Sequence, residues 1–222
     1  MNDKQRVAHF AAQQIHSGML IGLGTGSTAN CFIDALVERQ QNEGLDCQYV
    51  ASSIVTLEYA RQAGLKLVGI ETLACLDLYV DGADEVAPDL SLLKGRGSDL
   101  VREKLLAQNS REFWVLIDPS KKVNHIGEKF PVAVEVMPFA VSLVQNSLSH
   151  LNIAAVLRKQ GDGLHVTSHG CLVLDCQFNN DAPVSIDHQL NAVPGVVEHG
   201  IFLLPQTRVF CGEDQTVREM LR

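Results

Sequence analysis

The chain has 222 residues, 46% hydrophobic and 20% charged, with 26 acidic against 18 basic side chains for a formal charge of −8. Its apolar content is ample to offset chain entropy, which excludes disorder, and its 17 glycines and 7 prolines are too few for collagen-like or low-complexity chains. No apolar run nears the roughly 20 residues that cross a bilayer, and no Lys/Arg cluster exceeds Lys121-Lys122, so neither a membrane nor a nucleic acid is an expected partner.

In chain order, Met1 to Arg6 leads into no apolar signal-peptide core, and export is not expected. Residues 5–16 pattern as a helix and Met19 to Leu23 as a buried strand. After a glycine-rich segment, Ala29, Phe32, Ile33, Leu36 and Val37 mark one face of a second helix. Cys47 to Ala51 predicts a strand, 55–63 a helix, Leu65 to Ile70 a third strand, and Leu76, Leu78 and Val80 an alternating strand that runs to Asp81. Phe113 to Ile117 is another apolar strand. The alternation predicts a mostly parallel sheet flanked by helices, a Rossmann-like α/β arrangement.

The period changes near Pro131. A strand over 132–137, a helix over 138–149 starting at Pro138, and a strand over 153–159 precede a hairpin from Val166 to Val173 turning on His169-Gly170. A helix over 183–191 and a strand from Val196 to Leu204 complete a β-α-β-β-α-β order, which is ferredoxin-like. Arg208 to Cys211 is expected to return to the first sheet. The smaller α+β domain, 128–199, is then an insertion in an α/β domain made of 1–127 and 200–222. The six cysteines (31, 47, 75, 171, 176 and 211) form no C-x-x-C pair, so they read as reduced core residues of a cytoplasmic protein and not as zinc ligands.

Gly22-Leu-Gly24-Thr25-Gly26-Ser27-Thr28 joins a strand to a helix. Glycines allow a sharp turn and close approach of a ligand, the helix start offers N–H donors, and Thr25, Ser27 and Thr28 add hydroxyls. Such a loop cradles phosphate, although a Ser/Thr-capped helix after a tight turn would look alike. It is not a dinucleotide fingerprint, because Ser27 stands where a glycine is needed and Ala51-Ser52-Ser53 follows the second strand in place of an acidic residue. No Gly-Lys-Ser/Thr makes it a P-loop.

Asp81-Gly82-Ala83-Asp84-Glu85 ends a strand, where ligands collect in open α/β sheets. Three carboxylates within five residues suit acid–base work, although a solvated Asp-Gly turn has the same sequence. No histidine or further acidic run supports magnesium, and no metal is expected. Lys94-Gly95-Arg96-Gly97 is a second glycine-bracketed loop, with Ser98 or Asp99 as the cap of the following helix; its lysine suits a developing oxyanion. On that helix Glu103 falls among Leu100, Leu106 and Ala107, while Arg102 and Lys104 point elsewhere. A carboxylate so placed suits general-base work near neutrality, although a helix-edge Glu paired with a lysine has the same pattern. Asp118-Pro119-Ser120-Lys121 follows the next strand, and Lys121 or Lys4 could complete a phosphate clamp, although a surface lysine fits either position equally and is the favoured reading of Lys4. No His pair or nucleophile elbow supports covalent hydrolysis.

In combination, Gly24 to Thr28, Tyr79 to Glu85, Lys94-Gly-x-Gly97, Arg102-Glu103-Lys104, Asp118-x-Ser-Lys121 and Ala192-x-Pro194-Gly195-Val-Val197 resemble the ribose-5-phosphate isomerase, type A family. The resemblance spans almost the whole chain. It implies a metal-free, cofactor-free cytoplasmic enzyme of the non-oxidative pentose phosphate pathway, a homodimer or homotetramer, that interconverts D-ribose 5-phosphate and D-ribulose 5-phosphate through an enediolate. By the resemblance Glu103 is the base, with Asp81, Asp84 and Lys94 its catalytic partners. Thr25, Gly26, Ser27, Thr28, Asp81, Gly82, Ala83, Asp84, Lys94, Gly95, Arg96, Gly97 and Lys121 bind substrate, and Lys4 aligns, less closely, with a phosphate-contacting lysine. Arg96 interrupts the family's glycine run and Ser98-Asp99 replaces small residues, so a positive φ at position 96 would strain the loop.

Two other classes share parts of this pattern. A sugar-phosphate sensor domain would follow a basic helix-turn-helix, for which no room exists before the strand at residue 19. A sugar-phosphate deaminase or lactonase would place a histidine in these loops, and none is there; a CoA transferase would need a nucleophilic glutamate in its own motif, and Glu103 alone does not exclude that class.

Overall fold

The computed structural model describes residues 1–97, 99–179 and 181–221, which divide into two compact units. The first comprises Met1–Ala83, Arg102–Lys121 and the segment from Leu204 on; the second comprises Asp84–Val101 and Lys122–Leu203. Residues 84–101, 122–127 and 200–203 thus group with the second unit.

A six-stranded sheet forms the first unit, in the order Thr216–Met220, Thr207–Glu213, Ser110–Ile117, Leu76–Asp81, Leu20–Leu23, Gln48–Ala51. Five of these strands run parallel and the edge strand Thr216–Met220 is antiparallel. The expected return to the first sheet is made by Thr207–Glu213, which pairs in parallel with Ser110–Ile117. Helices α1 (Asp3–Gln13), α2 (Ser27–Glu43) and α3 (Ile54–Gln62) belong to this unit, as does α4 (Leu100–Gln108) from Arg102 onward. Asn2 and Gln5 close α1 with a capping box. The α2 face foreseen from spacing is buried at Ala29, Phe32, Ile33 and Leu36, against Ile21, Leu23 and Leu78 of the sheet.

The strand expected over 65–70 does not form. Tyr49 donates its N–H to the Lys66 carbonyl and accepts from Val68 N–H, a single bridge opposite Leu67, and the chain then leaves through a 3₁₀ turn at Ile70–Thr72. Gly64 and Gly69 bracket the segment and leave it too short to extend the pairing.

A four-stranded antiparallel sheet carries the second unit, in the order Val196–His199, Val132–Val136, Leu172–Gln177, Ala154–Leu157. Its core gathers Val134, Val136 and Leu174 with Val144 and Leu148 of α5 (Val141–His150) and Ile186 and Leu190 of α6 (Pro183–Asn191). Pro138 begins a 3₁₀ turn that leads into α5, so that helix starts three residues later than its proline suggests.

Two expectations need correction here. The turn between Val166 and Leu172 is centred on Ser168 and His169, closed by Gly170 N–H to the Thr167 carbonyl at 3.0 Å, so His169-Gly170 is one residue out of register. The single strand expected over 196–204 is two, Val196–His199 and Ile201–Phe202, in different sheets. The switch falls at Gly200, where a Cβ would stand 2.1 Å from the Lys94 carbonyl oxygen and only glycine admits the crossing. Ile201–Phe202 pairs with Leu92–Leu93, which pairs in turn with Glu85–Val86, a small sheet with no sequence signal of its own. No helix of the described residues is long and apolar enough to cross a membrane.

Candidate active site

In the first unit, the glycine loop and the acidic turn meet at Asp81. The Leu20–Leu23 and Leu76–Asp81 strands are parallel neighbours, so the loop after one lies beside the end of the other. The buried Asp81 carboxylate accepts N–H bonds from Thr25 at 3.1 Å and Gly82 at 2.7 Å, and the Tyr79 hydroxyl donates to it at 2.5 Å. Gly24 makes this possible, because a Cβ there would lie 2.1 Å from the Asp81 carboxyl carbon. Around Thr25 the hydroxyls of Ser52, Ser53 and Thr56 lie at 2.7–3.1 Å, and Thr56 donates to the Gly24 carbonyl at 2.9 Å. The loop is therefore held by the hydroxyl groups of Ser52, Ser53 and Thr56, and by the N–H groups of Gly24 and Thr25, which donate to the Val80 carbonyl and the Asp81 carboxylate.

Gly26, at φ 113°, is the N-cap of α2, and no side chain caps that helix. A helix capped by its own Ser or Thr is thus not what the sequence encodes, since Ser27 is already inside the helix. Lys4 reaches the same place from α1 and donates to Ser27 Oγ at 3.0 Å. Beside them Asp118, after the Ser110–Ile117 strand, has its carboxyl below the usual range. Its burial opposes this, but the hydroxyl and N–H of Ser120 and the charges of Lys4 and Lys121 prevail. Thr25, Gly26, Ser27, Lys4 and Lys121 thus sit in one neighbourhood rich in donors.

Glu103 is 3% exposed, as its place on α4 predicts. The Tyr79 phenol is pushed well above its ordinary pKa, first by burial, then by the negative charges of Asp81 and Glu103 and its bond to Asp81. The Glu103 charge thus acts on the same tyrosine that holds Asp81. Arg102 turns away to donate to the Ala51 carbonyl at 3.3 Å. Lys104 does not point into solvent: it is 6% exposed, because the short α4 is covered on more than one side.

Asp84 and the lysine loop belong to the second unit. Lys94 is buried, its N–H donating to the Gly200 carbonyl at 2.8 Å and its ammonium 5.7 Å from the Phe202 ring centre. Asp84 accepts from the Arg96 N–H at 3.2 Å. Arg96 itself is exposed, with its guanidinium stacked 4.3 Å from the centre of the Phe130 ring. In this loop the positive φ falls at Gly95, 114°, and not at Arg96, so arginine is not strained there. Ser98 lies outside the described residues, and Asp99 accepts from Ser168 Oγ. Glu85 is absent from this set. Its wholly buried carboxylate takes N–H bonds from Gly127, Lys129 and Phe130 at 2.6–2.8 Å and staples that loop. Among the described residues no group of three or more His, Cys, Asp or Glu is disposed to hold a metal ion.

A family model described as ribose 5-phosphate isomerase A (phosphoriboisomerase A) matches residues 48–216. The chain belongs to the ribose-5-phosphate isomerase A family. Ribose-5-phosphate isomerase A of Synechococcus sp. (strain JA-3-3Ab) is 44% identical over 203 residues, 90% of this chain and 88% of its own. That of Bacillus mycoides (strain KBAB4) is 37% identical over 221 residues, 99% of each chain. The solved ribose 5-phosphate isomerase A of Methanocaldococcus jannaschii superposes with a TM-score of 0.94 at 36% identity, covering 99% of this chain and 98% of its own. A D-ribose-5-phosphate isomerase solved in complex with phospho-erythronic acid gives 0.95 at 35% identity, with both chains fully covered. The α/β fold with its mixed sheets is that of ribose-5-phosphate isomerase A.

Sequence reasoning missed the supports of this isomerase site. Tyr79 is two residues before Asp81 in a strand, hence on the same face, and that period-two relation was the available signal. Ser52, Ser53 and Thr56 carried only a cap-like spacing, which Ser53 fulfils by accepting from Thr56 N–H at 3.1 Å.

Proposed function

We propose that this chain interconverts D-ribose 5-phosphate and D-ribulose 5-phosphate in the pentose phosphate pathway through a cis-enediolate, with Glu103 as the group that moves the proton. An aldose–ketose isomerase opens the sugar ring, removes the C2 proton and returns one to C1. A single carboxylate reaching both carbons performs both transfers. The observation that carries the assignment is the burial of the Glu103 carboxylate, whose charge acts on Tyr79 together with that of Asp81. Asp81, with its carboxylate oriented by Thr25 and Gly82 N–H, and Asp84 shuttle hydroxyl protons and assist ring opening. Lys94 stabilises the charge that develops on O1 and O2. Thr25 to Thr28, Lys121 and Lys4 hold the phosphate, so that binding energy at the far end aligns the reacting carbons. Gly82, Ala83, Gly95, Arg96 and Gly97 contribute backbone to the substrate's surroundings.

The charge-stabilising groups in this scheme are a lysine and backbone donors, and no metal or cofactor enters it. Six free thiols suit a reducing compartment, here the cytoplasm. Phe139 and Leu143, 83% and 71% exposed in the single chain, suit burial against a second copy, and we assign a homodimer or a tetramer built from it. The first unit is read as Rossmann-like. The β-α-β-β-α-β order of the second, with its first strand between the fourth and third, supports the ferredoxin-like reading.

The deciding experiment follows conversion of ribose 5-phosphate by EDTA-treated protein, with Glu103→Gln alongside. Full activity after EDTA and a loss of at least about 1,000-fold in kcat for the variant, with sugar-phosphate binding kept, are expected. Near-normal turnover by the variant would remove Glu103 from the base role.

A further inference from the structure

We infer that Arg158, clamped by Asp175, is a positioning residue for the lysine loop. All the groups involved lie in the second unit. Arg158 follows the Ala154–Leu157 strand directly, and its N–H donates to the Val173 carbonyl at 2.8 Å, so its stem is fixed on the sheet. Asp175, on the neighbouring strand, accepts from Arg158 Nε at 3.1–3.2 Å and from Nη2 at 2.5 Å. That paired contact orients the planar guanidinium and leaves Nη1 aimed in one direction. In that direction lies the Gly95 carbonyl, 2.8 Å away.

Gly95 is the residue that needs such a partner. It is buried, it holds a φ of 114°, and a Cβ there would stand 2.8 Å from Ala133 Cβ and 3.0 Å from a Leu100 methyl. A buried carbonyl without a donor is costly, and a turn held in a sparsely populated region persists only when its surroundings dictate it. Arg158 supplies a charged donor at that point. The Lys94–Gly95 segment is then held at both ends, by the Gly200 carbonyl at the Lys94 N–H and by Arg158 at the Gly95 carbonyl. The Arg158 side chain is 17% exposed and that of Asp175 26%, so the pair is too sheltered to be an ordinary surface ion pair. The geometry gives it a purpose: to hold the backbone from which Lys94 projects.

This inference rests on the proposed role of Lys94, and the experiment separates the two. Arg158→Ala, Arg158→Lys, Asp175→Asn, Lys94→Ala and the Arg158→Ala/Lys94→Ala double variant are assayed for kcat and KM, with melting temperatures to confirm folding. Arg158→Ala is expected to lower kcat by about 10- to 100-fold with KM within about threefold, because misplacement by roughly 1 Å costs rates of that order. Arg158→Lys and Asp175→Asn should fall between it and the parent, and they carry the comparison alone if Arg158→Ala does not fold. In the Lys94→Ala background Arg158→Ala should cost no further turnover, a coupling that general loosening of the fold would not produce. Parental kcat in folded Arg158→Ala, or the same fold-loss with and without Lys94, would overturn the positioning role. Parental turnover by Lys94→Ala itself would instead remove the lysine's role, and the purpose of the brace with it.

Discussion

Replacing Gly24 by alanine tests whether the glycine loop and Asp81 form one device. The added methyl would lie 2.1 Å from both the Asp81 carboxyl carbon and Oδ1, and 2.5 Å from its Cβ. Ordinary contacts begin near 3.4 Å, so loop and carboxylate must separate by about 1 Å or more, and neither can do so freely. Gly24 is tied to the Val80 carbonyl by its N–H and to Thr56 by its carbonyl, while Asp81 is held by Tyr79, Thr25 and Gly82. Overpacking of this kind costs about 1–3 kcal/mol of stability, a fall of a few degrees in Tm for a chain of this size. A shift of about 1 Å in a catalytic carboxylate costs on the order of 100-fold in kcat. Gly24→Ala should therefore remain folded at 25 °C, melt a few degrees lower, and lose most of its ribose 5-phosphate turnover. A folded variant with kcat within threefold of the parent would refute the reasoning, because it would show that Asp81 can move without consequence for the reaction.

Glu85→Gln turns one of the acceptors facing the Gly127, Lys129 and Phe130 N–H groups into a donor; a loss of about 2–4 kcal/mol, read as a Tm lower by roughly 10 °C, is expected, with turnover of the folded protein nearly kept. A large drop in kcat with an unchanged Tm would instead give Glu85 a part in the reaction. Lys121→Ala should raise KM for ribose 5-phosphate about tenfold and leave kcat almost unchanged, and an unaltered KM would place the phosphate elsewhere. Glu135, wholly buried on the Val132–Val136 strand, has its carboxyl pushed up by burial, against the pull of Thr167 and His169, with the Asp99 charge adding to the rise. A carboxyl raised in the folded state favours folding at pH values below its unfolded pKa, and that contribution is lost as pH rises through the folded value. Glu135→Gln, which mimics the neutral acid, should therefore melt above the parent at pH 7 and match it near pH 4; a constant difference across that range would contradict the assignment.

The parallel sheet was legible because its strands are continuous apolar runs and its helices carry faces of ordinary period. Thr207–Glu213 was also legible as a returning strand. What failed did so where pairing is decided by partners far away in sequence. Leu65 to Ile70 has strand composition, yet it finds only one pairing residue on Tyr49. Glu85–Val86 and Leu92–Leu93 are too short to show any period; they pair with each other, and Ile201–Phe202 arrives from far along the chain to pair with Leu92–Leu93. The apolar run after Val196 gave no hint of changing sheets, because Gly200 acts through the space beside Lys94 and not through its neighbours in the chain.

The lysine loop shows the same distinction at the site. A glycine run identifies a loop of unusual backbone but does not say which residue bears the unusual torsion. Here Gly95 bears it, at φ 114°, and it also lacks the room for a side chain against Ala133 and Leu100. Position 96 has neither constraint. Its φ is not positive, its side chain faces solvent, and Phe130 offers its ring to the guanidinium. Arginine is thus compatible with the loop for the same reason that glycine at 95 is required: the Arg158 donor fixes the Gly95 carbonyl, the left-handed turn is completed there, and the backbone at 96 returns to a region open to any residue. The strain expected at Arg96 if its φ were positive followed from the family's glycine run, and a glycine run cannot locate a torsion to one residue.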